Sequence, residues 1–300
     1  MPDLGIKSFA ACVPRLRMDR GSIAAAHAWA MPSLRGMGKG ERSFCSWDED
    51  SITMSVDAVR ACLRGSSPAR IGSLTFASTT PPFSDLQNAG LVAAASGLPE
   101  KLSTMDASGS LRAGTSALIR ALESSAQSDS VVVAADARHA RPGSTQEMQY
   151  GAGSLAVTVG SGDLIARHLG SVSTATQFID HFRAEGQKYD YQWEERWIRD
   201  EGYLKIVPDA VKRLLDQTGT QASGIDFFCL PATLSGISAA VAKRMGFKPE
   251  SVVDNLSARC GDTGAAHPLM MLASALESAK PGQRILLVGF GTGCDALLFE

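Results

Sequence analysis

The chain has 300 residues, 44% of them hydrophobic and 20% charged, with a formal net charge of −2 at pH 7. Such a length allows one large or two closely packed domains whose core needs neither disulfides nor metals. No basic surplus points to nucleic acid or to an anionic membrane, although a local patch would still suit the phosphates of a small ligand.

The opening stretch MPDLGIKSF lacks the basic-then-apolar pattern of a signal peptide, and no apolar run approaches the ~20 residues of a membrane helix, so a cytoplasmic location is expected. In the first half, short apolar runs predict strands over 5–12, 71–77, 130–135 and 154–159, and alanine-rich periodic stretches predict helices over 51–64, 85–96 and 113–124. In the second half, strands are expected over 162–172, 227–230, 284–289 and 296–299, with helices over 204–218, 235–245 and 265–278. Helix alternating with strands covered on both faces argues an α/β architecture.

One stretch, residues 180–203 (DHFRAEGQKYDYQWEERWIRDEGY), mixes aromatic and charged residues without clean periodicity. It reads as a surface excursion, either a cap over a pocket or a subunit contact, or else as a solvated segment that Trp193 and Trp197 pin down. The six cysteines, Cys12, Cys45, Cys62, Cys229, Cys260 and Cys294, form no CxxC and read as buried reduced thiols rather than a zinc site or disulfide framework. His27, His139, His168 and His181 belong to no motif, and His267, followed by Pro268, reads as a capping or packing residue. Gly289, Gly291 and Gly293 follow the last helix and precede the last strand, the wrong context for a dinucleotide fingerprint, and read as a tight turn near a cavity.

Two features organise these elements. Ala121-Leu122-Glu123-Ser124 before the apolar run 131–133 recurs as Ala275-Leu276-Glu277-Ser278 before the run 285–287, at the same offset. A helix–strand unit displaced by half the chain implies duplication of a domain-sized half, 1–160 and 161–300. The second feature is DASGSLRAGTSAL, residues 106–118, which passes from a strand into a helix N-terminus. Unpaired N–H groups and the positive dipole end lower a cysteine's pKa there and stabilise an oxyanion, so a thiolate at such a junction accepts acyl groups from thioesters. This segment contains no cysteine.

The chain resembles the thiolase superfamily, in the 3-hydroxy-3-methylglutaryl-CoA synthase and ketoacyl-ACP synthase III branch, over nearly its whole length. The resemblance is carried in order by GIKSFAACVP (5–14), WDEDSIT (47–53), ASTTPPFSDLQNAGLVA (77–93), RAGTSAL (112–118) and YGAGSLAVTV (150–159). It continues through the 180–203 excursion, similar to a DFWR-type segment, then AKRMGF (242–247) and PGQRILLVGFGTGC (281–294). The implied architecture is the duplicated five-layer α-β-α-β-α fold.

Condensing members of that family use a cysteine, a histidine and an asparagine. Carried over by local motif, the resemblance puts Leu111 at the nucleophile's place in SLRAGT, Pro231 at the histidine's in CLPAT, and Arg259 at the asparagine's in ARCGD. No catalytic residue is therefore expected, with Ser110 and Cys260 as the candidate substitutes and Cys229 also near a motif loop. Leu111 is large enough to fill the acyl pocket.

The resemblance extends to bacterial C-acyltransferase complexes, including phloroglucinol-acetylating ones. In these a synthase-like subunit without the nucleophile scaffolds a thiolase-like catalytic subunit and a small OB-fold, zinc-ribbon protein. It implies a non-catalytic subunit of an acyl-CoA-dependent acyltransferase or thiolase complex, built on a homodimeric or heterodimeric core. No covalently bound cofactor and no metal are expected, with CoA or acyl-CoA as the candidate ligand. Two alternatives stand beside it: an enzyme that processes acyl-CoA through non-standard residues, with Arg259 and Asp262 orienting a carboxylate or phosphate, and a CoA-ester-binding regulator.

Overall fold

The first half of the chain runs β1 (Leu4–Cys12), β2 (Arg17–Asp19), α1 (Arg20–His27), β3 (Glu41–Ser43), α2 (Ser51–Cys62), β4 (Ile71–Ala77), α3 (Asn88–Ala95), β5 (Ser103–Ala107), α4 (Ala113–Ser124), β6 (Asp129–Ala137), α5 (Thr145–Gln149) and β7 (Ala152–Ser161). The second half runs β8 (Ala166–Ala175), β9 (His181–Phe182), β10 (Tyr191–Gln192), α6 (Glu195–Trp197), α7 (Ile206–Thr218), β11 (Phe227–Cys229), α8 (Ile237–Met245), α9 (Ser257–Cys260), α10 (His267–Ser278), β12 (Ile285–Phe290) and β13 (Gly293–Phe299). The structure is a computed structural model that describes residues 3–124 and 128–300.

Nine strands form a mixed sheet in the order β11-β12-β13-β8-β1-β7-β6-β4-β5. Its connectivity contains one pattern twice. β4 is parallel to β6, which is antiparallel to β7, which is antiparallel to β1. β11, β12, β13 and β8 repeat those steps with the same orientations. β5 lies parallel to β4 at the edge, and its counterpart beside β11 is reduced to a single parallel bridge between Phe228 and Val252. The halves join along β1 and β8 through the pairs Gly5–Arg167 and Ile6–Ala166.

Side-chain alternation on the central strands sets the layers. On β6, Val132 and Ala134 pack with α4 and α10, whereas Val131, Val133 and Ala135 pack with α2 and α3. On β12, Ile285 and Leu287 face α4 and α10, while Leu286 and Val288 face α7 and α8. Both faces of each half-sheet are covered, which is why these strands read as unbroken apolar runs. The result is the thiolase-like α/β arrangement: α2 and α3, a half-sheet, α4 and α10, a half-sheet, then α7 and α8. Gly114 lets α4 approach the turn that leads into α10, since a Cβ there would lie 2.4 Å from the Ala265 carbonyl oxygen.

Local chemistry fixes the entry to α2. Asp50 accepts the Thr53 N–H at 2.8 Å and Thr53 Oγ1 accepts the Asp50 N–H at 2.8 Å, a reciprocal capping box. The excursion over 180–203 folds as the β9–β10 hairpin, α6 and a π-helical turn Ile198–Tyr203. Phe178 stacks on Trp197 and packs against Phe290, which ties the excursion to the end of β12. No helix among the described residues is long and apolar enough to cross a membrane.

Candidate functional site

The junction between β5 and α4 is held by side chains rather than left open for a nucleophile. Ser110 Oγ donates to the Gly291 carbonyl at 2.5 Å, and Arg112 Nε donates to the same oxygen at 3.1 Å. Arg112 Nη1 also reaches Asp295 Oδ1 at 2.9 Å, and this fully buried carboxylate accepts from Thr115 Oγ1, Ser116 Oγ and Ser173 Oγ at 2.5–2.9 Å. The start of α4 is thus locked to the glycine turn between β12 and β13. Gly289 permits that approach, because a Cβ there would sit 2.1 Å from Thr115 Oγ1.

Beside this junction lies a cavity of about 280 Å³. Leu111 and Pro231 both line it, as do the apolar Met37, Met148, Ile198 and Phe290. Leu111 forms part of the wall, and the cavity beside it stays open. Arg259 is absent from the wall: its side chain is 68% exposed and pairs with Asp254 at 3.2 Å. The reason is local. Residues Ser257–Cys260 form the short outward turn α9, and Gly261 at φ +79° reverses the chain so that Asp262, three residues beyond Arg259, enters the cavity.

Asp262 joins the halves. Its backbone accepts from Gly151 N–H and donates to the Gln149 carbonyl, both at 2.8 Å, and its carboxylate takes the Arg138 Nη2 at 2.5 Å and the Gly264 N–H at 3.0 Å. Burial works to raise the Asp262 pKa, but the Arg138 charge overcomes it and holds the carboxyl below its ordinary range. Burial likewise opposes the Arg138 charge, and Asp262 and Tyr150 more than offset it, so the guanidinium is charged and its pKa raised. Arg138 also stacks 3.8 Å over the Tyr150 ring, whose hydroxyl donates to Asp190 at 2.9 Å. Asp190 in turn pairs with Arg183.

The candidate substitutes for a nucleophile are all engaged elsewhere. The Ser110 hydroxyl proton is directed at a carbonyl, which cannot serve as a base. Cys260 lies outside the cavity wall with Sγ directed at the Leu256 and Gly261 carbonyls, and burial pushes its thiol up to about 11. Cys229 is buried, its Sγ is directed at the Met271 carbonyl, and burial alone raises its pKa. Among the described residues no cysteine lines the cavity.

Two histidines do line it. His267 Nδ1 accepts the Thr263 N–H at 3.1 Å, which assigns the proton to Nε2, 2.7 Å from the Asn255 carbonyl. Both nitrogens are committed, and burial lowers the pKa, so this ring is neutral and structural. His181 differs. Its Nδ1 lies 3.1 Å from Asp180 Oδ2, and both residues face the cavity with Gln192, its partner in the β9–β10 register. Sequence reasoning passed over His181; the signal was the histidine in DHFR where the resembling segment reads DFWR.

Comparison with known proteins decides the family. Residues 215–298 match the family described as 3-oxoacyl-[acyl-carrier-protein] synthase III C terminal. The hydroxymethylglutaryl-CoA synthase of Thermococcus sibiricus is 30% identical over 306 residues, covering 99% of this chain and 86% of that protein. The chain belongs to the hydroxymethylglutaryl-CoA synthase family. The Methanosarcina barkeri hydroxymethylglutaryl-CoA synthase is likewise 30% identical, over 99% of the chain and 87% of its own length. Among solved structures, a 3-oxoacyl-(acyl carrier protein) synthase III from Pseudomonas aeruginosa superposes with a TM-score of 0.85 at 21% identity, covering 99% of this chain and 97% of that one. A structure in complex with 3-hydroxy-3-methylglutaryl coenzyme A gives 0.86 at 20% identity, over 100% and 83% of the two chains. This chain is thus a hydroxymethylglutaryl-CoA synthase homologue whose cavity wall carries leucine and proline where the family resemblance leads one to expect cysteine and histidine.

Proposed function

We propose that the chain is a synthase-like subunit, non-catalytic in acyl transfer, of an acyl-CoA-dependent acyltransferase or thiolase complex, in which the acyl-enzyme forms on a partner's cysteine. The observation that carries this reading is the helix start itself: Leu111 lines the cavity, no thiol accompanies it, and Ser110 is bonded to a carbonyl. A leucine side chain has no lone pair with which to attack a thioester. The cavity nevertheless persists, and Arg20 and Lys39 on its wall bring positive charge suited to the phosphates of CoA. Two of the superposing structures hold CoA or 3-hydroxy-3-methylglutaryl-CoA, and we assign this cavity to a CoA thioester on that likeness.

The partners are a thiolase-like catalytic subunit and a small OB-fold, zinc-ribbon protein, on a dimeric core. The edge strand β5 supports an association surface: it has one neighbour, β4, and Met105 on it is exposed, as are Phe83, Leu86 and Leu91. An open strand edge flanked by exposed apolar side chains invites pairing with another chain.

Co-expression with a thiolase and an OB-fold protein from neighbouring genes tests the reading. A single co-eluting complex whose radiolabelled acyl group resides on the thiolase chain is expected. A chain that elutes alone under those conditions contradicts the partner assignment, and thioester cleavage by the isolated chain contradicts the non-catalytic one. Tight CoA-ester binding with neither turnover nor a partner would instead establish a CoA-ester-binding regulator.

A further inference from the structure

We infer that His181, oriented by Asp180, is a proton-accepting group for a thioester held non-covalently in the cavity, removing a proton from the carbon next to the thioester carbonyl. The inference rests on the assignment of this cavity to a CoA thioester, and adds to it a chemistry that needs no acyl-enzyme.

Geometry selects this histidine. His181 Nδ1 lies 3.1 Å from Asp180 Oδ2, and on that contact we assign the proton of the neutral ring to Nδ1. The lone pair then lies on Nε2, which among the described residues makes no hydrogen bond. The other histidine on the wall, His267, has both nitrogens engaged. The hairpin explains the placement. In the β9–β10 register His181 opposes Gln192 and Phe182 opposes Tyr191; the first pair lines the cavity, and the second packs ring against ring at 5.2 Å on the exposed face. The outward aromatic pair anchors a hairpin whose inward pair carries the chemistry.

The same wall supplies a counter-charge. Arg138 is buried and cationic, and its Nε lacks an acceptor. Negative charge developing on a carbonyl oxygen beside it is stabilised by such a fixed cation. In the step, the Cα–H bond breaks and its proton passes to Nε2. The electron pair moves onto the carbonyl oxygen as an enolate, and the reverse step returns a proton from the imidazolium to carbon. The C–S bond stays intact, and nothing is oxidised or reduced. Asp180 acts through His181 and is a positioning residue.

The test incubates the full chain with acetyl-CoA in D₂O and follows deuterium in the acetyl group by mass spectrometry, with acetyl-CoA binding measured separately by calorimetry. Deuterium should accumulate while the thioester remains whole. His181→Gln should slow exchange by about a hundredfold or more, the usual contribution of a general base, with affinity for acetyl-CoA unchanged. Asp180→Asn should also slow exchange at unchanged affinity. In His181→Ala, added imidazole should restore exchange, a rescue that a merely misfolded variant would not show. Binding without exchange, or equal exchange in His181→Gln, overturns the inference alone. Absence of acetyl-CoA binding overturns the CoA assignment, and the inference with it.

Discussion

Replacing Arg138 by methionine removes the counter-ion of a buried carboxylate without opening a large void. The Arg138 and Asp262 side chains are 2% and 13% exposed, so water screens the pair only weakly. After the substitution Asp262 keeps only the Gly264 N–H as a side-chain partner, and Tyr150 loses the cation over its ring. Breaking one side of a buried pair costs about 3–5 kcal/mol, because the desolvated charge is left uncompensated. Because the pair links the end of β6 to the loop after α9, the loss should appear in the global unfolding transition measured with urea. The double variant Arg138→Met with Asp262→Leu removes both charges and should recover most of the loss, leaving a deficit of about 1 kcal/mol for the orphaned Gly264 N–H. A single variant within about 1 kcal/mol of the wild type, or a double variant no better than the single, would refute the reasoning.

The same pair has a pH signature. The folded Asp262 carboxyl is held low, so its stabilisation is complete above the unfolded aspartate value of ~3.9 and is lost as pH falls through the lower folded value. Equilibrium unfolding below about pH 4 should therefore cost the wild type more than the double variant; equal losses would count against the ion pair. Asp295→Ala removes the buried carboxylate that accepts from Arg112 and three hydroxyls, and should lower stability by about 3 kcal/mol or more in thermal unfolding; a change under about 1 kcal/mol would show that the lock on the glycine turn is dispensable. Cys12, Cys45 and Cys260 have thiols pushed up to about 11, 12 and 11 by burial, so iodoacetamide near neutral pH should label the wild type slowly, whereas Leu111→Cys should gain one fast site at the helix start. Met105→Asp on the exposed edge strand should leave stability within about 0.5 kcal/mol and abolish co-elution with the partners; a complex that survives would move the interface elsewhere.

Much of the fold was legible because burial writes itself into residue pattern. The runs that became β4, β6 and β12 are covered on both faces, and the helix expected over 113–124 is α4 to the residue. β5 escaped notice for the opposite reason: STMDA is an edge segment with exposed Ser103, Met105 and Asp106, and it has no apolar face to announce it. The β9–β10 hairpin is held by two pairs of residues and by ring contacts, too few for a periodic signal. The site was legible where the chain is regular and obscure where it turns. Leu111 sits one strand-to-helix step from recognisable elements, whereas the loop after α9 depends on a left-handed glycine, so counting along it lands on Arg259 when the residue in the cavity is Asp262. His181 stands out in sequence only as the odd residue of DHFR, and the folded hairpin is what brings it to the cavity beside its carboxylate.

The mass of the intact isolated chain after incubation with acetyl-CoA most directly tests whether covalent chemistry has left this site. Leucine at the helix start, with Ser110 bonded to the Gly291 carbonyl, predicts an unchanged mass. A stable gain of one acetyl group on any residue of the wild-type chain would contradict it.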